Sequence, residues 1–301
     1  MSIMLNYFLL EQKTENINCD LFRAASLDTW KRIGFSRTKP KLKIHETTIT
    51  QNLVYEFHLL KQYFPSIVRI YESKDESANG DDLEIAIRNN NTGHYIKFAL
   101  QAKILYHNLP QRNANVMRLS DGRYKQFQHA VGNPKVNQVD LLLTYARNNG
   151  AIPLYLLYNY VFGYFPPKTL CGIDFDITQY GCSIVHAQFL KNRFSLSNGN
   201  LIPNVKFTNL HPSIALPWFV IPCCFANLSL NKIFDNLHVD KPDYNIRSFS
   251  EEELIDEFLW KSLEVIPEIK GKAITEEVQR YSILKENEQP VFNPKFKMII
   301  D

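Results

Sequence analysis

The run Asn89-Asn90-Asn91-Thr92-Gly93 ties this chain down more than any other stretch. Consecutive asparagines closed by glycine favour a tight reversal, because Asn and Gly tolerate turn conformations that most residues avoid. The flanks alternate. Before the turn stands Asp82-Leu83-Glu84-Ile85-Ala86-Ile87-Arg88, and after it His94 to Leu105. On the return strand Phe98, Leu100, Ala102 and Ile104 face one way, while Ala99, Gln101 and Lys103 face the other. A turn centred near Asn91–Thr92 puts Asp82 about opposite Gln101. Strand period and hairpin register together bring Asp82, Glu84, Gln101 and Lys103 into one small volume.

Helices and strands are expected on both sides of this hairpin. Residues 20–33 predict a helix burying Leu21, Ala24, Leu27 and Trp30. Thr50 is read as the N-cap of a helix from Gln51 to Phe64, with the stripe Leu53, Phe57, Leu60 and Phe64 and with Glu56 beside it. Residues 67–71 read as a strand. Residues 121–131 and 135–148 read as helices, the second beginning near Gln138 and ended by Gly150. Ile152 to Tyr158 reads as a buried strand, and residues 169–230 as short strands and turns. Residues 249–262 and 272–285 read as surface helices, followed by a proline-punctuated tail, Gln289 to Asp301. This order predicts an α/β protein with a mixed central sheet flanked by helices. The expected division is one core domain over 1–235, with a helical lead-in, and a helical appendage and tail over 236–301.

The net charge of +3 is weak, but its distribution is uneven. Lys31, Arg32, Arg37, Lys39, Lys41 and Lys43 stand together without an acid, whereas Glu251, Glu252, Glu253, Asp256 and Glu257 crowd a later segment. A basic front and an acidic rear suit phosphate binding on one side. Five cysteines, an odd number without a CxxC pair, read as reduced thiols, and the vicinal Cys223-Cys224 as core residues. His186, in an apolar run, reads as a satisfied, partly buried histidine. Met1 to Leu10 lacks the features of a signal peptide, and the apolar window 213–230 is broken by Pro217 and Pro222. No membrane segment and a cytoplasmic setting are expected. There is neither a P-loop nor a dinucleotide fingerprint.

Two carboxylates, an amide and an ammonium in one volume suit a hard metal ion beside a phosphodiester. Mg²⁺ takes oxygen ligands, commonly one or two protein carboxylates with waters and substrate phosphate. Asp82 is the expected central ligand, assisted by the Gln101 amide oxygen and the Ala102 carbonyl. Asp81 competes for the role, and Asp82 is preferred because it shares a strand face with Glu84. Glu84 is a further ligand or a rim acid. Glu56 is expected to hold a metal-coordinated water or a second ion. Lys103 orients water or stabilises charge, and Gln138 orients water or substrate.

Glu on a helix, Asp on a strand and Gln-x-Lys on the next strand resemble the PD-(D/E)XK nuclease superfamily. The Gln-x-Lys variant resembles Mrr-like restriction endonucleases. The chain is similar, more closely, to an uncharacterised bacterial family of nuclease-like proteins. The pieces that match are Thr29-Trp30-Lys31-Arg32-Ile33, Glu46-Thr47-Thr48-Ile49-Thr50, Gly80-Asp81-Asp82, Gln101-Ala102-Lys103, Gln138-Val139-Asp140-Leu141-Leu142, Pro153-Leu154-Tyr155 and Leu216-Pro217-Trp218, with Cys223-Cys224 just after. The resemblance implies a restriction-endonuclease-like core and an Mg²⁺- or Mn²⁺-dependent endonuclease acting on DNA, with RNA as the other substrate, in defence against phage or foreign DNA. Its active site would be Glu56, Asp82, Gln101 and Lys103, with Glu56, Asp82, Gln101 and Glu84 as metal ligands. Enzymes of this kind often dimerise to cut both strands, and a regulatory partner or small activator would protect the host. The alternatives are a noncatalytic nucleic-acid-binding module and a partner-regulated effector subunit.

Overall fold

In the computed structural model, residues 16–38, 42–61, 68–73, 82–107, 122–125, 127, 130–131, 136–163, 165–197, 201, 205–240, 246–255, 260–262, 292 and 294–301 are described. The helices are α1 (Ile17–Thr38), α2 (Glu46–Lys61), α3 (Gln138–Asn149), α4 (Ala187–Phe194), α5 (Phe207–Leu210), α6 (Val220–Cys223) and α7 (Leu230–Asn236). The strands are β1 (Val68–Ser73), β2 (Asp82–Arg88), β3 (Tyr95–Ile104), β4 (Tyr106–His107), β5 (Gly122–Tyr124), β6 (Ala130–Val131), β7 (Val136–Asn137), β8 (Ile152–Tyr158), β9 (Lys168–Leu170), β10 (Ile173–Phe175), β11 (Cys182–His186), β12 (Val205–Lys206), β13 (Leu216–Pro217), β14 (Trp260–Ser262) and β15 (Phe296–Ile300).

Eight strands form the central sheet in the order β13-β11-β8-β3-β2-β15-β1-β14. The sheet is mixed: β3 runs parallel to β8, and β15 parallel to β2, while β2 and β3 are an antiparallel hairpin. The hairpin register is the expected one, with Asp82 opposite Gln101. Its two faces feed two cores. Leu83, Ile85, Leu100, Ala102 and Ile104 pack with Phe22 of α1 and Phe57 of α2. Ala99, Tyr155 and Leu157 pack with Val139, Leu142 and Ala146 of α3. A sheet buried on both faces explains why every residue of β3 and β8 is buried. Gly150 ends α3 in the left-handed conformation (φ 60°), as glycine there should. Gly181 lets the chain before β11 press on α1, since a Cβ there would lie 2.0 Å from the Ser26 carbonyl oxygen.

Several expectations are corrected. The tail is no appendage: β15 lies between β1 and β2 in the middle of the sheet, so the split at 235/236 divides one core. Its sequence, Phe296-Lys297-Met298-Ile299-Ile300, is a short apolar run that only pairing with both neighbours makes a central strand. Residues 122–124 are strand, not helix, because they pair with β4 and β12 and bury Tyr124. Within 249–262 the described residues form a bridge to Tyr95, a turn and β14. The helix expected over 272–285 lies outside the described residues. Thr50 is not an N-cap but the fifth residue of α2, its hydroxyl 2.8 Å from the Tyr158 hydroxyl. Four cysteines are not free thiols: Cys19 pairs with Cys223 and Cys171 with Cys224, at Cα separations of 5.1 and 5.8 Å. The fifth, Cys182, is a buried thiol. Among the described residues no helix is long and apolar enough to cross a membrane.

Candidate active site

Asp82 opens β2, and Gln101 faces it across the hairpin. Opposite residues of an antiparallel pair send their side chains to the same face. Gln101 Nε2 donates to Asp82 Oδ1 at 2.5 Å, with both residues buried. Lys103 shares that face two residues on. Its ammonium donates to Gln138 Oε1 at 2.9 Å and lies 3.7 Å from Glu46 Oε2. Glu46 Oε1 accepts the backbone N–H of Ile104 at 2.8 Å. Gln138 is the first residue of α3, and Glu46 the first of α2. Two strands and the starts of two helices thus deliver five polar side chains to the carboxyl end of β3.

The surroundings are buried. Tyr155 stands beside Gln101 on β8. Burial raises its phenol above the ordinary value, and the Asp82 carboxylate pushes the same way. Burial likewise raises the Tyr145 phenol, with the Glu84 and Asp82 carboxylates adding to it. Both hydroxyls stay protonated, and that of Tyr145 donates to Glu84 Oε2 at 2.8 Å.

Two expected ligands fall elsewhere. Glu84 is fully buried, and its Oε1 lies 2.9 Å from the Lys297 ammonium of β15. With Tyr145 on its other oxygen, it neutralises a buried cation. The strand that supplies that cation was invisible as a strand until it paired. Glu56 lies ten residues along α2 from Glu46, about 15 Å. It turns to Arg32 of α1 at 3.3 Å and adds to the charge around Asp28. The physical reason is layering: α2 packs on the sheet face opposite to Asp82 and Gln101, so only its first turn reaches the strand end.

Glu46 is therefore the helix glutamate of this site, and sequence reasoning passed it over. The signal was present. Glu46 begins the stretch Glu46-Thr47-Thr48-Ile49-Thr50, and an acid suits the first turn of a helix. A cap at Thr50 would put Glu46 outside the helix.

Cations gather at the same end. Arg37 donates to the Leu105 carbonyl at 2.9 Å and lies 5.5 Å from the Tyr106 ring centroid, with Lys125 at 5.9 Å. Glu251 to Glu253 lie toward the other end of β3, where Phe249 bridges Tyr95 and Glu251 pairs with Arg69 at 2.5 Å. Ten residues of strand, about 33 Å, separate the two ends. Among the described residues no three His, Cys, Asp or Glu side chains are grouped as metal ligands. The Asp82 carboxylate and the Gln101 amide lie side by side, with the amide nitrogen toward the carboxylate.

A family model, DUF6615, matches residues 18–288. The chain belongs to this family, a family of unknown function. The DUF6615 match takes in Glu46, Asp82, Gln101, Lys103 and Gln138 and stops short of β15. No curated protein and no solved structure matches the chain.

Proposed function

We propose that this DUF6615 protein is a metal-dependent endonuclease that hydrolyses phosphodiester bonds in DNA on a restriction-endonuclease-like core. The observation that carries this reading is the Asp82–Gln101 pair with Lys103 two residues on, all at one strand end. The donor set fits Mg²⁺ or Mn²⁺, which accept a single protein carboxylate and an amide oxygen with waters and phosphate completing the shell. Asp82 and Gln101 would hold the ion once the Gln101 amide turns its oxygen, in place of Nε2, toward it. Bound there, it would supply Lewis-acid polarisation of the scissile phosphate and a water of lowered pKa. Lys103 presents its ammonium to the charge that develops on the phosphate oxygens during in-line attack. Gln138 and Glu46 hold that ammonium in place, and Glu46 ties it to the backbone of β3. Arg37 and Lys125 extend positive charge toward the nucleic-acid backbone. Preference for DNA, and a role against phage or foreign DNA, rest on the resemblance.

A specific observation favours a second reading. Asp82 is hydrogen-bonded by Gln101, and Lys103 by Gln138, so the polar set satisfies itself. That suits a noncatalytic nucleic-acid-binding module or an effector subunit that a partner switches on. Incubating wild type and Asp82→Ala with supercoiled and linear DNA, Mg²⁺ or Mn²⁺, and an EDTA control separates the readings. The nuclease reading expects metal-dependent nicking that falls roughly a hundredfold or more in the variant. Equal cleavage by both proteins sinks the assignment. DNA binding without cleavage by either moves the weight to the second reading.

A further inference from the structure

Helices α3 and α4, with residues 238–240, line a half-open cavity of about 690 Å³ on the side of α3 away from the sheet. That volume lies in the range of small-molecule sites. One face of α3, Asp140, Leu143, Thr144 and Arg147, forms one wall at helical spacing. Val139, Leu142 and Ala146 of the same helix point into the core instead.

His186, the residue before α4, lines this cavity at only 3% exposure. Its Nδ1 accepts the backbone N–H of Gln188 at 3.1 Å. Burial lowers its pKa to about 3, so the ring is neutral at pH 7 and its one proton sits on Nε2. That Nε2 is buried and has no hydrogen-bond partner among the described residues. A buried donor without an acceptor is unfavourable, and a ligand acceptor would relieve it once the ring turns Nε2 toward the cavity.

The rim shows which acceptor fits. Arg147, Lys191 and Arg193 face the cavity against Asp140 and Asp240, and Asp140 is already paired with Lys191 at 2.7 Å. Among the lining residues three cations stand against two acids. Phe189 and His238 set two rings 6.3 Å apart at the same opening, His238 in the left-handed backbone region (φ 57°). Rings beside cations suit a flat, anionic molecule.

We propose that this cavity binds a phosphate-bearing small molecule of nucleotide size, with the phosphate at the arginine rim and an acceptor on His186 Nε2. The site is distinct from the Asp82 cluster, and its test does not depend on nuclease activity. The two are joined by α3, whose first residue, Gln138, holds Lys103.

Isothermal titration of the full chain with AMP, GMP, cyclic AMP and inorganic phosphate, against adenosine and guanosine, tests the proposal. A nucleotide is expected to bind one-to-one and raise the melting temperature, with the nucleosides at least tenfold weaker, roughly one charge-assisted contact. Arg193→Gln, at an exposed position, is expected to weaken binding roughly tenfold, and His186→Phe as well. Asp82→Ala should leave the affinity unchanged. No binding of any nucleotide at millimolar concentration overturns the proposal. So does affinity that survives Arg193→Gln and Arg147→Gln together. Displacement of the nucleotide by duplex DNA with matching affinity would also overturn it, placing the cavity on the nucleic-acid path.

Discussion

At the scale of single residues, the site turns on which glutamate meets Lys103. Glu46 lies 3.7 Å from that ammonium, whereas Glu56 belongs to the α1–α2 contact. Glu46→Gln is therefore expected to lower metal-dependent cleavage by roughly 10- to 100-fold, the usual effect of losing a residue that orients a catalytic group. Glu56→Gln should leave turnover per folded molecule near wild type and cost about 1 kcal/mol of stability. Steady-state rates on a supercoiled plasmid, with thermal melts of both variants, decide between them. Histidine sets a second prediction. Burial holds His211 and His186 at a pKa of about 3 in the folded chain, below the ordinary 6.5. The unfolded chain takes up their protons first as pH falls. Stability that is full above about pH 6.5 is then lost toward pH 3, by at most about 1.4 kcal/mol per pH unit for each ring. His211 has both ring nitrogens occupied, by Ser183 Oγ at 2.8 Å and the Phe207 carbonyl at 3.2 Å. Urea unfolding at pH 5 and pH 7 should show a smaller difference for His211→Gln than for wild type.

At the scale of elements, the β2–β3 hairpin does two jobs with one face. Its open end carries Asp82, Gln101 and Lys103. Its middle carries Glu84 against Lys297 of β15, with Lys97 close enough to feel that carboxylate. Removing one partner of a buried ion pair strands the other. Glu84→Gln is expected to destabilise the fold by about 3–5 kcal/mol while leaving the chemistry at Asp82 in place. Chemical denaturation should show a lower midpoint with an unchanged slope. A wild-type midpoint would mean that Lys297 finds its counter-charge elsewhere. Just past the carboxyl end of β8, at the same end as Lys103, Asn159 accepts from Tyr124 and donates to the Leu157 and Tyr180 carbonyls. That network fixes the small β4–β5 unit close to the site.

At the scale of the whole molecule, β15 joins β1 and β14 to the rest of the sheet. β15 gives β1 an antiparallel partner and β2 a parallel one, and the backbone carbonyl of Asp301 accepts from Asn18 of α1 at 3.2 Å. Deleting residues 296–301 would leave two central strand edges unpaired inside a buried sheet. The truncated chain is expected to lose cooperative thermal unfolding and to aggregate, as circular dichroism and size-exclusion chromatography would show. A soluble, cooperatively folded truncation would make β15 an accessory strand. The two disulfides also act at this scale, since Cys19 and Cys223 are 204 residues apart.

Much of the site was legible locally. Asn89 to Gly93 specified a hairpin, period two chose the faces, and the register of Asp82 with Gln101 followed from counting. Gln138 at a helix start and Ile152–Tyr158 as a buried strand were local patterns as well. Most of what escaped was decided by contacts distant in sequence. Glu46 rather than Glu56 depends on which sheet face α2 covers. The partner of Glu84 comes from a strand more than two hundred residues later, and the cysteine pairs depend on where α6 sits. Side-chain periodicity is a property of one element, so the sequence carries it openly. Neighbours across a sheet, on a facing helix or through a disulfide exist only once the chain has closed on itself, and tertiary structure alone decided them.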